Sequence, residues 1–189
     1  MPSFSAVLVT GGKSTRMGKD KALLSLQGSH LMLWQRQLRT LEDLQPEEIF
    51  WSGPAREGLP AHVRVVVDTV PDAGPLAGIS ACLELLQSEL LIVLAIDLPF
   101  LSATYLQRML DRCAKARGIV PRHKDYYEPL AAIYPKTLAV TAAAQLSTGR
   151  YALQEFVRTG VEQGALRAFA IEEKDIPLFK NLNLPADLS

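Results

Sequence analysis

Short apolar runs and amphipathic stretches alternate along almost the whole chain. The runs Ser5 to Val9, Ile49 to Trp51, Val63 to Val67 and Leu90 to Ile96 are rich in Val, Ile and Leu and suit strands buried on both faces, as in a parallel sheet. Between them, Leu31, Trp34, Leu38 and Leu41 recur every three or four residues, as do Leu76, Ile79, Leu83 and Leu86. Each set lays one apolar stripe along a helix. Ser102 is placed to cap a third helix over Ala103 to Lys115, which Gly118 ends before the brief run Ile119 to Val120. Beyond Pro121 the order loosens. RHKDYYEP reads as a polar loop, LAAIY as a strand, Lys136 to Leu146 and Tyr151 to Arg158 as helices, and Arg167 to Ile171 as a last strand. The pattern predicts an α/β fold: a three-layer, mostly parallel, doubly wound (Rossmann-like) sheet with at least one antiparallel strand in the second half.

Composition narrows the classes. The 189 residues are 48% hydrophobic and 21% charged, which suits a globular chain and excludes a disordered one. A chain of this length buries roughly 70% of the surface its unfolded form exposes. Twenty basic and 20 acidic side chains cancel, so bulk attraction to nucleic acid is not expected and any phosphate site must be local. The longest apolar run, Leu90 to Ile96, has seven residues where a membrane span needs about 20. The N-terminus lacks the basic flank of a secretory signal. Cys82 and Cys113 are far apart with no CxxC partner and read as buried thiols, in keeping with a reducing cytoplasm.

Three features directly follow predicted parallel strands: the loop Thr10 to Lys21, Asp68, and Asp97. Ligands of open α/β sheets bind beyond the carboxyl ends of the strands, so all three are expected to face one site. The segment GGKSTRMGKDK carries three glycines and the four cations Lys13, Arg16, Lys19 and Lys21. Its glycines allow backbone N–H groups close to an anion, and its cations add charge-assisted hydrogen bonds. It is not a Walker A loop, because Gly12 and Gly18 enclose five residues and Asp20 follows Lys19. Nor is it a GxGxxG fingerprint, since Gly12 directly follows Gly11. Asp97, in AIDLPF, reads either as a Mg²⁺ ligand beside substrate phosphates or as the cap of a turn. Gly78, near the start of a helix, suggests a close backbone approach. RHKDYYEP, with Arg122 and Lys124, reads equally as a cover for an acceptor or as a solvated hairpin. His30, His62 and His123 read as surface residues, and Trp34 and Trp51 as core or edge packing.

With these residues in place, the sequence resembles the molybdenum cofactor guanylyltransferases, within the nucleotidyltransferases of the nucleotide-diphospho-sugar transferase type. VTGGKSTRMGKDKALL, Val9 to Leu24, matches the pattern LAGGxSxRMGxDK. GPLAGI (Gly74 to Ile79) preceded by Asp68, DLPF (Asp97 to Phe100) and NLNLPADL (Asn181 to Leu188) match the later motifs. The resemblance spans the chain and implies one nucleotidyltransferase domain, with a nucleotide-binding half over about 1–100 and an acceptor-binding half over about 101–189. It implies transfer of GMP from GTP to the terminal phosphate of Mo-molybdopterin, with Mg²⁺. Alternatives are a cytidylyltransferase for the same cofactor, a sugar-phosphate nucleotidyltransferase, or a GTP-binding module without catalysis. By the same resemblance Val9, Thr10, Gly11 and Gly12 hold the nucleotide, Arg16 and Lys21 the phosphates, Asp68 the guanosine portion, and Asp97 the metal. Asn181 and Asn183 reach the pterin, and molybdoenzymes or cofactor-delivery proteins are implied partners. Thr10 stands where the family has alanine, Leu184 where it has threonine, and Ser52 is the nearest counterpart to a missing asparagine.

Overall fold

The computed structural model describes residues 2–10, 21–68, 70 and 72–182, with only the backbone of Lys21. Thirteen elements carry the fold: β1 (Phe4–Val9), α1 (Leu33–Glu42), β2 (Ile49–Ser52), β3 (Val63–Val66), α2 (Pro75–Leu85), β4 (Leu90–Ala95), α3 (Ala103–Leu110), β5 (Gly118–His123), β6 (Tyr126–Tyr127), β7 (Ile133–Pro135), α4 (Ala139–Ser147), α5 (Leu153–Glu162) and β8 (Leu166–Ala170). Among the described residues four 3₁₀ turns accompany them: three, including Lys21–Leu23, lie between these elements, and Glu173–Phe179 follows β8.

The strands form one sheet in the order β3-β2-β1-β4-β7-β5-β6, with β8 also on β5. β1 pairs in parallel with β2 and β4, β2 with β3, and β5 with β8. β7 runs antiparallel between β4 and β5, and β6 antiparallel to β5. The expected mostly parallel sheet with an antiparallel strand in the second half is therefore what the chain forms.

Alternation along the strands divides the core into two layers. Ala6 and Leu8 of β1 face Trp34, Leu38, Leu41 and Leu106 from α1 and α3. Val7 and Val9 face Leu76, Ile79, Leu83 and Phe156 from α2 and α5. Side chains alternate across a strand, so a strand covered on both faces must be apolar throughout; β4, LLIVLA, is buried at every position. Trp34 and Trp51 meet edge to face with ring centroids 5.8 Å apart inside the first layer, a favoured aromatic geometry.

Local chemistry sets the element ends. Ser102 caps α3 by accepting from the Tyr105 N–H at 3.2 Å, which fills one of the orphan donors of the first turn. That helix stops at Leu110 and does not reach Lys115: the N–H groups of Arg112 and Cys113 bond only three residues back, to Met109 and Leu110, and Ala114 then pairs with Arg117. The expected LAAIY strand starts late, at Ile133, because Pro129, with no N–H for a ladder, opens a 3₁₀ turn. RHKDYYEP forms the β5–β6 hairpin, in which Arg122 Nε donates to the Lys124 carbonyl at 2.7 Å. Cys82 is buried, Cys113 is partly buried, and both are free thiols whose pKa burial pushes up to about 12. Among the described residues no helix is long and apolar enough to cross a membrane.

Candidate active site

Strand order 3-2-1-4 reverses direction of winding between β1 and β4, and the crevice beyond their carboxyl ends is where open α/β sheets bind ligands. The two ends are stitched together: the Ile96 N–H donates to the Val9 carbonyl at 3.2 Å. From there the chain enters the glycine-rich loop. Gly11, Gly12 and Arg16 lie outside the described residues, as do Asn183, Leu184 and the side chain of Lys21, whose backbone opens a 3₁₀ turn.

On the β2 side, four of the expected residues come together: Thr10, Ser52, Asp68 and Gly78. Thr10 reaches across to β2, its N–H and its hydroxyl both donating to the Ser52 carbonyl, at 2.9 and 3.0 Å. The Thr10 hydroxyl is thus engaged with β2. Ser52, buried at the end of β2, is hydrogen-bonded through its side chain to Asp68, just past β3. Local burial raises the Asp68 pKa, and the Ser52 bond partly offsets the rise, although Asp68 itself remains solvent-exposed. Against this pair lies Gly78 in the first turns of α2. A Cβ there would overlap the Ser52 hydroxyl and come within 3.0 Å of Asp68 Oδ1. Only a glycine lets the helix approach this closely. Gly74, at the head of α2, has φ +66°, a left-handed conformation that glycine adopts without a steric cost, and Pro75 then fixes the first helical residue.

On the β4 side stands Asp97, half-buried in the turn after the strand. Helix α1 braces that turn. Gln37, fully buried, donates through Nε2 to the Ala95 carbonyl at 3.3 Å and the Leu98 carbonyl at 2.6 Å, and Arg36 Nε donates to the Pro99 carbonyl at 2.7 Å. From the far end of the chain the Leu182 N–H donates to the Asp97 carbonyl at 3.0 Å. That bond brings the exposed Asn181 beside Asp97. Glu128, at the break between β6 and β7, carries a raised pKa because it is buried and because the Asp97 charge repels it.

Glu128, Gln37 and the bracing Arg36 were not expected from sequence. Gln37 did leave a signal, a polar residue among the core positions Trp34, Leu38 and Leu41 of α1. Glu128 lies within RHKDYYEP, which the sequence offered as a cover for an acceptor or as a solvated hairpin, but only Arg122 and Lys124 stood out there. Of the three histidines, His62 pairs with Glu42 at the surface at 3.0 Å, whereas His123 lines a cavity with Glu128.

The donor chemistry suits a hard divalent cation, which takes carboxylate oxygens. Among the described residues no three His, Cys, Asp or Glu side chains gather. A cation at Asp97 would therefore complete its shell with substrate phosphate oxygens and water, the usual habit of Mg²⁺.

The sequence matches the MobA-like NTP transferase domain over residues 6–165. A probable molybdenum cofactor guanylyltransferase of Opitutus terrae is 36% identical over 98% of this chain and 93% of its own length. The chain belongs to the MobA-like NTP transferase family. Within it, a molybdenum cofactor guanylyltransferase of Syntrophotalea carbinolica is 31% identical over 97% of this chain and 88% of its own. Among solved structures, molybdopterin-guanine dinucleotide biosynthesis protein A of Archaeoglobus fulgidus superposes with a TM-score of 0.73 at 23% identity, covering 97% of this chain and 94% of that one. A 2-C-methyl-D-erythritol 4-phosphate cytidylyltransferase of Thermus thermophilus gives 0.69 at 16% identity, covering 96% and 94%. These two likenesses establish the nucleotidyltransferase fold. The chain is thus a nucleotidyltransferase of the MobA-like family, whose donor is a nucleoside triphosphate.

Proposed function

We propose that this enzyme transfers GMP from GTP to the terminal phosphate of Mo-molybdopterin, giving the guanine dinucleotide form of the cofactor and pyrophosphate. The observation that carries the reading is the likeness, over nearly the whole chain, to guanylyltransferases. The geometry supports it: polar residues at the ends of β2 and β3 and carboxylates beyond β4 flank the strand from which the glycine-rich loop departs.

In this reading the backbone from Val9 to Gly12 and the cluster of Thr10, Ser52, Asp68 and Gly78 hold the guanosine portion, with Asp68 accepting from its hydroxyl or amino donors. Arg16 and Lys21 hold the phosphates. An oxygen of the acceptor phosphate forms the new bond to the α-phosphorus as the bond to the β-phosphate oxygen breaks, and pyrophosphate leaves. The acceptor phosphate is already ionised at neutral pH, so no general base is needed. What remains is to align two anions and offset the charge that builds on the α-phosphate and the leaving group, a task of positioning and electrostatics. Mg²⁺ held by Asp97 would supply part of that neutralisation. In the same reading Asn181 and Asn183 serve the pterin of the acceptor. The two halves of the chain, about 1–100 and 101–189, divide donor from acceptor within one nucleotidyltransferase domain.

Acceptor-dependent pyrophosphate release tests this reading. Asp97→Ala and Lys21→Ala are each expected to lower turnover by about 10²-fold or more, the scale for losing one preorganised electrostatic group, with the melting transition retained. Near-normal guanylyl transfer by a folded Asp97→Ala protein contradicts the metal assignment.

A further inference from the structure

Beyond the carboxyl ends of β5 and β8 lies a cavity of about 410 Å³, walled by Ile171, Ile176 and Phe179 and bearing the polar groups of His123, Glu128 and Lys180. Its size falls within the range of small-molecule sites, and its composition, mostly apolar with a few converging polar groups, is theirs too.

Backbone bonds fix its walls. The Ile171 N–H donates to the Arg122 carbonyl at 3.0 Å, the Glu128 N–H to the Pro121 carbonyl at 2.9 Å, and the Lys180 N–H to the Pro177 carbonyl at 3.3 Å. Two residues past Lys180, Leu182 bonds the Asp97 carbonyl. The segment that closes the cavity is thereby tied to the residue at the reacting centre. Strand order places this cavity across β4 from the Ser52, Asp68 and Gly78 cluster, so a molecule in it approaches Asp97 from the side that the donor nucleotide leaves free.

We propose that this cavity receives the planar heterocycle of the acceptor, and that the Glu128 carboxylate accepts hydrogen bonds from the amino and ring N–H edge of a pterin. The inference rests on the reading of the enzyme as a transferase to molybdopterin and names the group that selects that acceptor. A pterin presents a cyclic guanidine edge with adjacent N–H donors, the complement of a carboxylate's two oxygens; paired donors of this kind bind carboxylates in a bidentate fashion. Ile171, Ile176 and Phe179 offer apolar contact to its ring. Low local polarity strengthens the hydrogen bonds and makes their loss costly. Lys180 at the rim offsets the repulsion that Glu128 and Asp97 would exert on an anionic acceptor.

Two variants and two readouts test this. Glu128→Gln keeps the shape but places an NH₂ against the donor edge, and Ile171→Trp fills the cavity. Each is expected to raise KM for Mo-molybdopterin roughly tenfold or more, the scale for a hydrogen bond to a charged group, while KM for GTP and the half-saturating Mg²⁺ concentration stay unchanged. Independently of turnover, titrating the full chain into hydroxymethylpterin is expected to quench pterin fluorescence saturably, and both variants to abolish the quenching while keeping the wild-type circular dichroism. Wild-type acceptor KM in folded Glu128→Gln overturns the proposal. So does a raised Mg²⁺ requirement at unchanged acceptor KM, which would make Glu128 a metal group, and so does wild-type protein that leaves pterin fluorescence untouched. Guanylyl transfer without pterin quenching defeats this inference alone; saturable quenching without transfer from any nucleotide defeats the functional reading alone.

Discussion

At the scale of single residues, the cluster of Ser52, Asp68 and Gly78 depends on contacts that leave no slack. Gly78 has no room for a methyl beside the Ser52 hydroxyl and Asp68. Gly78→Ala is expected to cost about 1–3 kcal/mol in urea denaturation, as overpacking in a rigid setting does. It is also expected to raise KM for GTP, because the displaced pair is the one assigned to the nucleoside; an unchanged KM would remove that pair from the donor site. Gln37 is the counterpart beside Asp97. Replacing it by Met removes the amide donor from the Ala95 and Leu98 carbonyls, which keep the Leu98 and Leu101 N–H groups, at about 1 kcal/mol for each hydrogen bond lost. The turn bearing Asp97 loses its brace, so kcat is expected to fall with KM for GTP unchanged. A Gln37→Met enzyme with wild-type kcat would reduce Gln37 to a packing residue.

Glu128 gives a pH signature at the same scale. Its folded pKa lies above the ordinary 4.5, so the folded state binds the proton more tightly than the unfolded chain does. Ionisation of Glu128 therefore opposes folding, with the cost absent below 4.5 and fully present once the pH exceeds the raised value. Without substrates, Glu128→Gln is expected to melt higher than wild type at neutral pH, with the gap closing as the pH falls through the carboxylate range. A gap that widens in acid would reverse the assigned sign.

At the scale of elements, periodicity was a sound guide wherever burial on both faces dictated it. The runs around Ala6, Phe50, Val65 and Ile92 became β1 to β4, and the stripes containing Leu38 and Ile79 became α1 and α2. The guide weakened where polar chemistry decides the ends. Pro129 delayed β7, and the tight bonds of Arg112 and Cys113 cut α3 short. The 3₁₀ segment Glu173–Phe179 has no apolar period to announce it. Its buried Asp175 is held by Arg108 of α3 at 3.1 Å, a pairing over 67 positions that spacing along the chain does not reveal. The same limit applies to the site. Asp68 and Asp97 stand just past β3 and β4, so their places at strand ends were legible once the strands were; Ser52, the last residue of β2, came only from the family resemblance, and Glu128 enters through the break between β6 and β7, where only the fold sets it against Asp97.

At the scale of the molecule, a chain of balanced charge, 20 basic against 20 acidic residues, separates its chemistry along the sheet. The residues proposed for the donor stand at the ends of β2 and β3, carboxylates beyond β4, and the cavity proposed for the pterin beyond β5 and β8, the order that the proposed guanylyl transfer would use. The most direct test supplies purified protein with Mg²⁺, Mo-molybdopterin and each nucleoside triphosphate in turn, and measures pyrophosphate release. The account predicts release with GTP alone and only when the acceptor is present. Release with CTP alone, or GTP binding with no release, would contradict it.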